Sequence, residues 1–146
     1  MGTNLVRTDQ FKSLLAGTRT VAVVGACDEP ALAAYYVPDY LHQEGFRIVP
    51  VNPKQVGRKM WGERVRATLA EVSEPIDVVC IFRGGGQPDS HTGDVLAMVS
   101  RPNAVWLPPG VQDPVFTARM VGAGVDVVQD RCIAAEHKCA GLSLFG

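Results

Sequence analysis

"TVAVVGACDEP", Thr20 to Pro30, is the stretch on which the fold turns. A β-branched apolar run enters Gly25 as a buried parallel strand enters a phosphate-binding turn. The G-x-G-x-x-G fingerprint of a dinucleotide site nevertheless stops after its first glycine. Four more apolar segments follow: "FRIVPV" (46–51), "IDVVCIF" (76–82), "AVWL" (104–107) and "VDVVQ" (125–129). They are nearly continuous rather than alternating, as in strands covered on both faces.

Helical periods separate them. Val37, Tyr40, Leu41 and Glu44 step along one helix that Gly45 can end, and Val95, Leu96, Met98 and Val99 mark another after Pro88 and Asp89. Val115, Ala118 and Val121 mark a third, from Asp113-Pro114 to Gly122 or Gly124. Glu63 to Val72 has room for a short helix with Val65, Leu69 and Val72 inward, whereas "NPKQVGRKMWGE" before it reads as loop. Near the start, Thr8 or Asp9 can cap a helix that carries Phe11, Leu14 and Leu15 on one face and meets Gly17. Strand, helix, strand in repetition means an α/β fold with a parallel sheet and right-handed crossovers.

At 146 residues the chain can bury about two-thirds of its unfolded surface without covalent staples. The four cysteines, Cys27, Cys80, Cys132 and Cys139, have no paired C-x-x-C spacing and read as thiols of a reducing, cytoplasmic compartment. No apolar run reaches the ~20 residues a bilayer requires, and Asn4, Arg7, Asp9 and Gln10 are polar where a secretory signal is apolar. Fourteen basic against fifteen acidic residues disfavour a nucleic-acid binder that neutralises many phosphates.

In an open parallel sheet ligands sit beyond the carboxyl ends of the strands, where the strand order reverses. That places the candidate site on residues 25–36, 52–58, 83–87, 108–111 and 130–137. Pro38 is tolerated only in a first helical turn, so the helix after Gly25 is expected to start around Ala34 to Tyr36, leaving a long loop whose end aims N–H groups at an anion. After the second strand, Asn52, Pro53 and Lys54 stand where a nicotinamide site places a carboxylate for the ribose, and Lys54, Arg58 and Lys59 cluster there. Arg83 leaves the third strand on the same rim, suited to a bidentate phosphate contact, and "GGG" after it reads as a flexible flap without side chains. Cys132, His137 and Cys139 lack the paired spacing of a zinc site. Cys132 and His137, five apart on a helix, point in different directions and make a poor catalytic dyad.

Taken together, "VVGACDEP", "YVPDYL", "GFRIVPVNP", "IDVVCIFR", "AVWLPPGV" and "DRCIAAEH" resemble, in order and spacing, the small stand-alone CoA-binding proteins, which are similar to the nucleotide-binding domain of the succinyl-CoA synthetase α subunit. "VNP" and "DRC…EH" are the most specific parts, and the similarity runs from about Thr20 to Lys138. The resemblance implies a Rossmann-like three-layer fold with a five-stranded parallel sheet and helices on both faces. It implies a CoA-binding domain over 20–138, and the residues on either side are expected to form an N-terminal helix (1–19) packed on it and a C-terminal tail (139–146). It also implies contacts to coenzyme A from Gly25, Cys27, Tyr35, Asn52, Pro53, Lys54, Phe82, Arg83, Pro108 and Gly110.

Departures from the family pattern fall in that same set. Cys27 stands where the family tends to have serine, Ala34-Tyr35-Tyr36 where it often has Ser-Tyr-Arg, Gly84 where it has a second basic residue, and Pro108 where a more polar residue is usual. No residues in the sequence supply an evident acid, base or nucleophile. Two classes of function are therefore expected: a module binding CoA or acyl-CoA as carrier, sensor or regulator, or an enzyme using a nicotinamide or acyl-CoA substrate.

Overall fold

The computed structural model describes residues 1–145, with Arg83 described by its backbone alone. Its sheet contains β2 (Thr20–Val24), β3 (Arg47–Val51), β6 (Val78–Ile81), β7 (Ala104–Trp106) and β8 (Asp126–Val128), all parallel. A sixth strand, β1 (Asn4–Leu5), was not expected. It pairs with β8, Asn4 opposite Val127 and Leu5 opposite Val128. Two residues are too few to show a hydrophobic period; Thr3 N–H donating to Asp126 Oδ1 at 2.8 Å helps hold them there.

The strand order is β1-β8-β7-β6-β2-β3. From β2 the chain steps outward to β3 and then returns to the other side of β2 to lay down β6, so the order reverses between β2 and β6. Alternation along β2 feeds two cores. Val21 and Val23 join Val78, Cys80 and Trp106 beneath α1 (Thr8–Ala16), α2 (Ala33–Gln43) and α5 (Ile133–Cys139), which contribute Phe11, Leu15, Val37, Leu41 and Ile133. Ala22 and Val24 join Val79, Ile81 and Val105 on the other face, under α3 (Thr92–Leu96) and α4 (Pro114–Gly122) with Val95, Phe116 and Met120. Helices on both faces make the expected three layers.

Three local expectations change. Residues 63–72 form no helix. Lys59–Met60 (β4) and Glu63–Arg64 (β5) make a hairpin, after which Arg66 runs beside β3, donating to Pro50 O at 3.0 Å and accepting from Asn52 N–H at 2.8 Å. Leu69–Glu71 is a single 3-10 turn. Val65, Leu69 and Val72 are buried as expected, but along an extended path. Arg66, paired with Glu74 at 3.1 Å and Glu63 at 3.2 Å, ties the hairpin to this edge together with Arg47 on Glu63 at 2.9 Å.

The second change is that α2 begins at Ala33, one residue early, placing Pro38 inside the helix with its ring buried. The Ala34 carbonyl thus loses the N–H that residue 38 would ordinarily donate. Third, the helix expected through Val99 is a 3-10 turn, Pro88–His91, running into the five residues of α3. Val95 and Met98 are buried, while Val99 is 78% exposed.

Candidate functional site

The loop at the head of β2 answers why one glycine of the fingerprint persists. Gly25 has φ 84°, a conformation costly to any residue with a Cβ, and its N–H donates to Val51 O at 2.9 Å. A Cβ there would lie 2.7 Å from the amide nitrogen of Gly85; a Cβ on Gly85 would lie 2.7 Å from Val24 Cγ1. The glycine-rich segment is therefore not a free flap. It packs as a 3-10 turn, Arg83–Gly85, over the end of β2, with Gly85 N–H donating to Phe82 O at 2.9 Å. His91 Nε2 lies 2.5 Å from Gly85 O, so the imidazole donates to that carbonyl and braces the turn.

Asn52 holds the neighbouring strand exit. Its Nδ2 donates to Ala26 O at 2.8 Å, and its Oδ1 accepts from Lys54 N–H at 2.9 Å, capping the 3-10 turn Pro53–Gln55. The side chain thus strings the β2 loop to the turn that presents Lys54. Of the three clustered cations, Arg58 is engaged by Asp28 across the loop, and Lys59 lies in β4. Lys54 is exposed and has no ion pair among the described residues.

Two unlike hollows flank this junction. On the α3 face a cleft of about 340 Å³ collects Gly25, Asn52, Pro53 and Lys54 with Thr68 and His91. On the α2 face an apolar cavity of about 80 Å³ is lined by Ala33, Val37, Cys80, Phe82, Trp106 and Pro108. Gly110 belongs to a third hollow of about 430 Å³, beside Gln87 and Gln112. Its N–H donates to Asp130 Oδ1 at 2.6 Å, and Asp130 itself adopts φ 58°. Tyr35 turns instead toward the hairpin tip, its ring 5.8 Å from that of Trp61, whose Nε1 donates to Asp39 at 3.1 Å. Cys27 is half-buried in the β2 loop. The side chain of Arg83, expected to meet a phosphate, lies outside the described residues.

Thr68 and His91 were not anticipated from the sequence. Both reach the cleft only because the hairpin and the 3-10 turn fold back over the rim, and neither carries a motif. His137, weighed as a metal ligand, is buried between the rings of Tyr40 and Phe46, with its Nδ1 2.8 Å from Tyr40 Oη. Desolvation holds its pKa below the usual imidazole value, against a smaller upward pull from Glu44. Among the described residues no three His, Cys, Asp or Glu side chains gather as a metal site would require.

A parallel sheet reversing between β2 and β6, with distinct hollows on the two faces of that reversal, defines a Rossmann-like domain with its candidate site at the switch point. The chain belongs to the CoA binding domain family, whose sequence profile matches residues 19–138. A solved structure from Thermus thermophilus, cell-free ID.343, is 38% identical, covers 92% of this chain and 99% of its own, and superimposes with TM-score 0.85. The uncharacterised protein YneT of Bacillus subtilis is 27% identical over 128 residues, which is 88% of this chain and 92% of its own. A hypothetical protein from Pyrococcus horikoshii OT3, 22% identical and covering 96% of both chains, shares the fold at TM-score 0.79. No helix among the described residues is long and apolar enough to cross a membrane.

Proposed function

We propose that the protein binds coenzyme A or an acyl-CoA across the carboxyl rim of its sheet, acting in the cytoplasm as a carrier, sensor or regulatory module. One observation carries this reading. A cleft that presents Lys54, a cation without an ion pair among the described residues, and is walled by the backbone of Gly25 and Gly84 to Gly86 lies on one face of the sheet, and an apolar cavity lies on the other. Coenzyme A is two-ended in the same sense, a triply phosphorylated nucleotide joined to a long pantetheine arm. In this reading Lys54, Arg83 and the backbone of Gly25 to Cys27 receive the phosphates, with Asn52 and Pro53 shaping the turn that offers Lys54. The arm crosses where side chains are absent and passes Phe82, Pro108 and Gly110, while Tyr35 closes the loop side.

No carboxylate stands at the exit of β3, where a nicotinamide cofactor's ribose would be held. The four cysteines are free thiols, in keeping with a reducing compartment. A melting scan with coenzyme A, dephospho-coenzyme A and NAD at equal concentration tests the reading. At a hundred times its dissociation constant a ligand stabilises the folded state by about 2.7 kcal/mol, a rise of roughly 5 to 10 °C for a chain of this length. Coenzyme A is expected to give that rise and dephospho-coenzyme A less, with the difference shrinking as salt screens the exposed Lys54 contact. A larger rise with NAD would overturn the proposal.

A further inference from the structure

Resting on that reading, we infer that the apolar cavity beside Phe82 receives the acyl group of a CoA thioester and selects short chains of two to four carbons. The cavity and the Lys54 cleft lie on opposite faces of the sheet, against the two different cores, and the chain leaving β6 lines both, with Phe82 in the cavity wall and Gly84, Gly85 and Gly86 in the cleft. A ligand held by its phosphates in the cleft and laid over Gly84 to Gly86 toward Phe82 therefore delivers its other end to the cavity.

The walls accept carbon. Val37, Phe82 and Trp106 line it with their apolar surfaces, and Trp106 Nε1 is engaged with Arg131 O at 2.8 Å, so the indole brings no free donor. Cys80 is buried in the same wall, and its burial raises the thiol pKa so far that it stays protonated and behaves as a small hydrophobe. No thiolate from this residue faces the thioester.

Size sets the chain length. A cavity of about 150 Å³ accommodates the six carbons of benzene, so one of about 80 Å³ has room for roughly half that number. Each methylene transferred from water into such a wall raises affinity about fourfold, the equivalent of ~0.8 kcal/mol. The structure thus separates a short acyl-CoA from free coenzyme A by the carbon it buries, and excludes long chains by volume.

Calorimetric titration of the full chain with coenzyme A and its acetyl, butyryl and octanoyl thioesters decides. Affinity is expected to be higher for acetyl-CoA than for coenzyme A, to rise from acetyl to butyryl by about fourfold per added methylene, and to fall at octanoyl. Ala33→Leu, which places a larger side chain in the cavity wall, is expected to bring butyryl-CoA to within twofold of coenzyme A. Binding of coenzyme A with a flat wild-type series overturns this inference alone, and so does a butyryl preference that survives in a folded Ala33→Leu variant. Failure of coenzyme A and every thioester to bind overturns the proposed function and this inference with it. The wild-type series needs no variant, so it decides even if Ala33→Leu does not fold.

Discussion

Gly25 and Gly85 meet backbone to backbone at the head of β2, so closely that a Cβ on Gly25 would sit 2.7 Å from the Gly85 amide nitrogen. The added Cβ would meet only main chain, Gly85 N, Gly84 C and Phe82 O, so no side chain can turn aside to make room. Gly25→Ala combines that clash with a φ of 84°, itself worth about 1–2 kcal/mol against a residue with a Cβ. The variant is expected to lose at least about 2 kcal/mol of unfolding free energy in denaturant titration. Gly122→Ala is the control. At the end of α4 nothing beyond the neighbouring residues and the helix's own backbone lies within 4 Å of the added Cβ, and an unchanged or slightly raised stability is expected there, by up to about 1 kcal/mol.

Asn52 and Lys54 are expected to separate fold from binding. Asn52→Ala leaves the buried Ala26 carbonyl and the Lys54 N–H without their partner, a loss of about 1–3 kcal/mol in stability. Lys54→Ala removes an exposed cation without an ion pair among the described residues. Its melting temperature is expected to stay within about 1 °C of the parent's while affinity for coenzyme A falls roughly tenfold or more, the worth of a charge-assisted hydrogen bond. Melting and calorimetry on the same two preparations check both halves.

Acid is expected to weaken the fold through His137. Its folded pKa lies below the ordinary value of 6.5, so the unfolded chain takes up the proton first. The stability associated with the neutral ring is complete above the unfolded pKa and is lost as pH falls through that value toward the folded one. Unfolding titrations at pH 7.5, 6.5 and 5.5 are expected to show this decline, with a shallower decline in His137→Gln. Equal slopes in the two proteins would assign the acid sensitivity to other groups.

The thiols are expected to react in an order set by exposure. Cys139 is exposed, Cys27 and Cys132 are half-buried, and Cys80 is both buried and held protonated by desolvation. Limited alkylation followed by peptide mass mapping should label Cys139 first and Cys80 last. Saturating coenzyme A is expected to slow Cys27 without changing Cys139, since only the former lies in the candidate loop.

The central strands were legible because β2, β3, β6, β7 and β8 are continuous β-branched or apolar runs, and the switch point follows from their order. Legibility failed where tertiary contact overrides local pattern. Val65, Leu69 and Val72 have a helix-like spacing and are indeed buried, yet Arg66 is drawn into register beside β3 by Pro50 and Asn52. Trp61 at φ 53° with Gly62 at φ 77° turns the hairpin, a turn for which asparagine or aspartate is the usual signal. Arg58 looked like a free rim cation because its partner Asp28 is distant in sequence. In the candidate cleft, Gly25, Asn52, Pro53 and Lys54 come together from the strand exits at which the sequence places them, whereas Thr68 and His91 arrive on elements whose return path no local motif records.

The pairing of Asn4 with Val127 and Leu5 with Val128 has a consequence for the order in which the chain assembles. During synthesis β2 and β3 can associate as soon as the first crossover is complete, and β6, β7 and β8 can then add in turn on one side. Of the strands in this sheet β1 is made before the others, and it must wait for nearly all of them, since its template, β8, is made more than a hundred residues later. Closing so long a loop is slow. The exposed edge of β8 is therefore covered last, by the strand of this sheet that was made earliest.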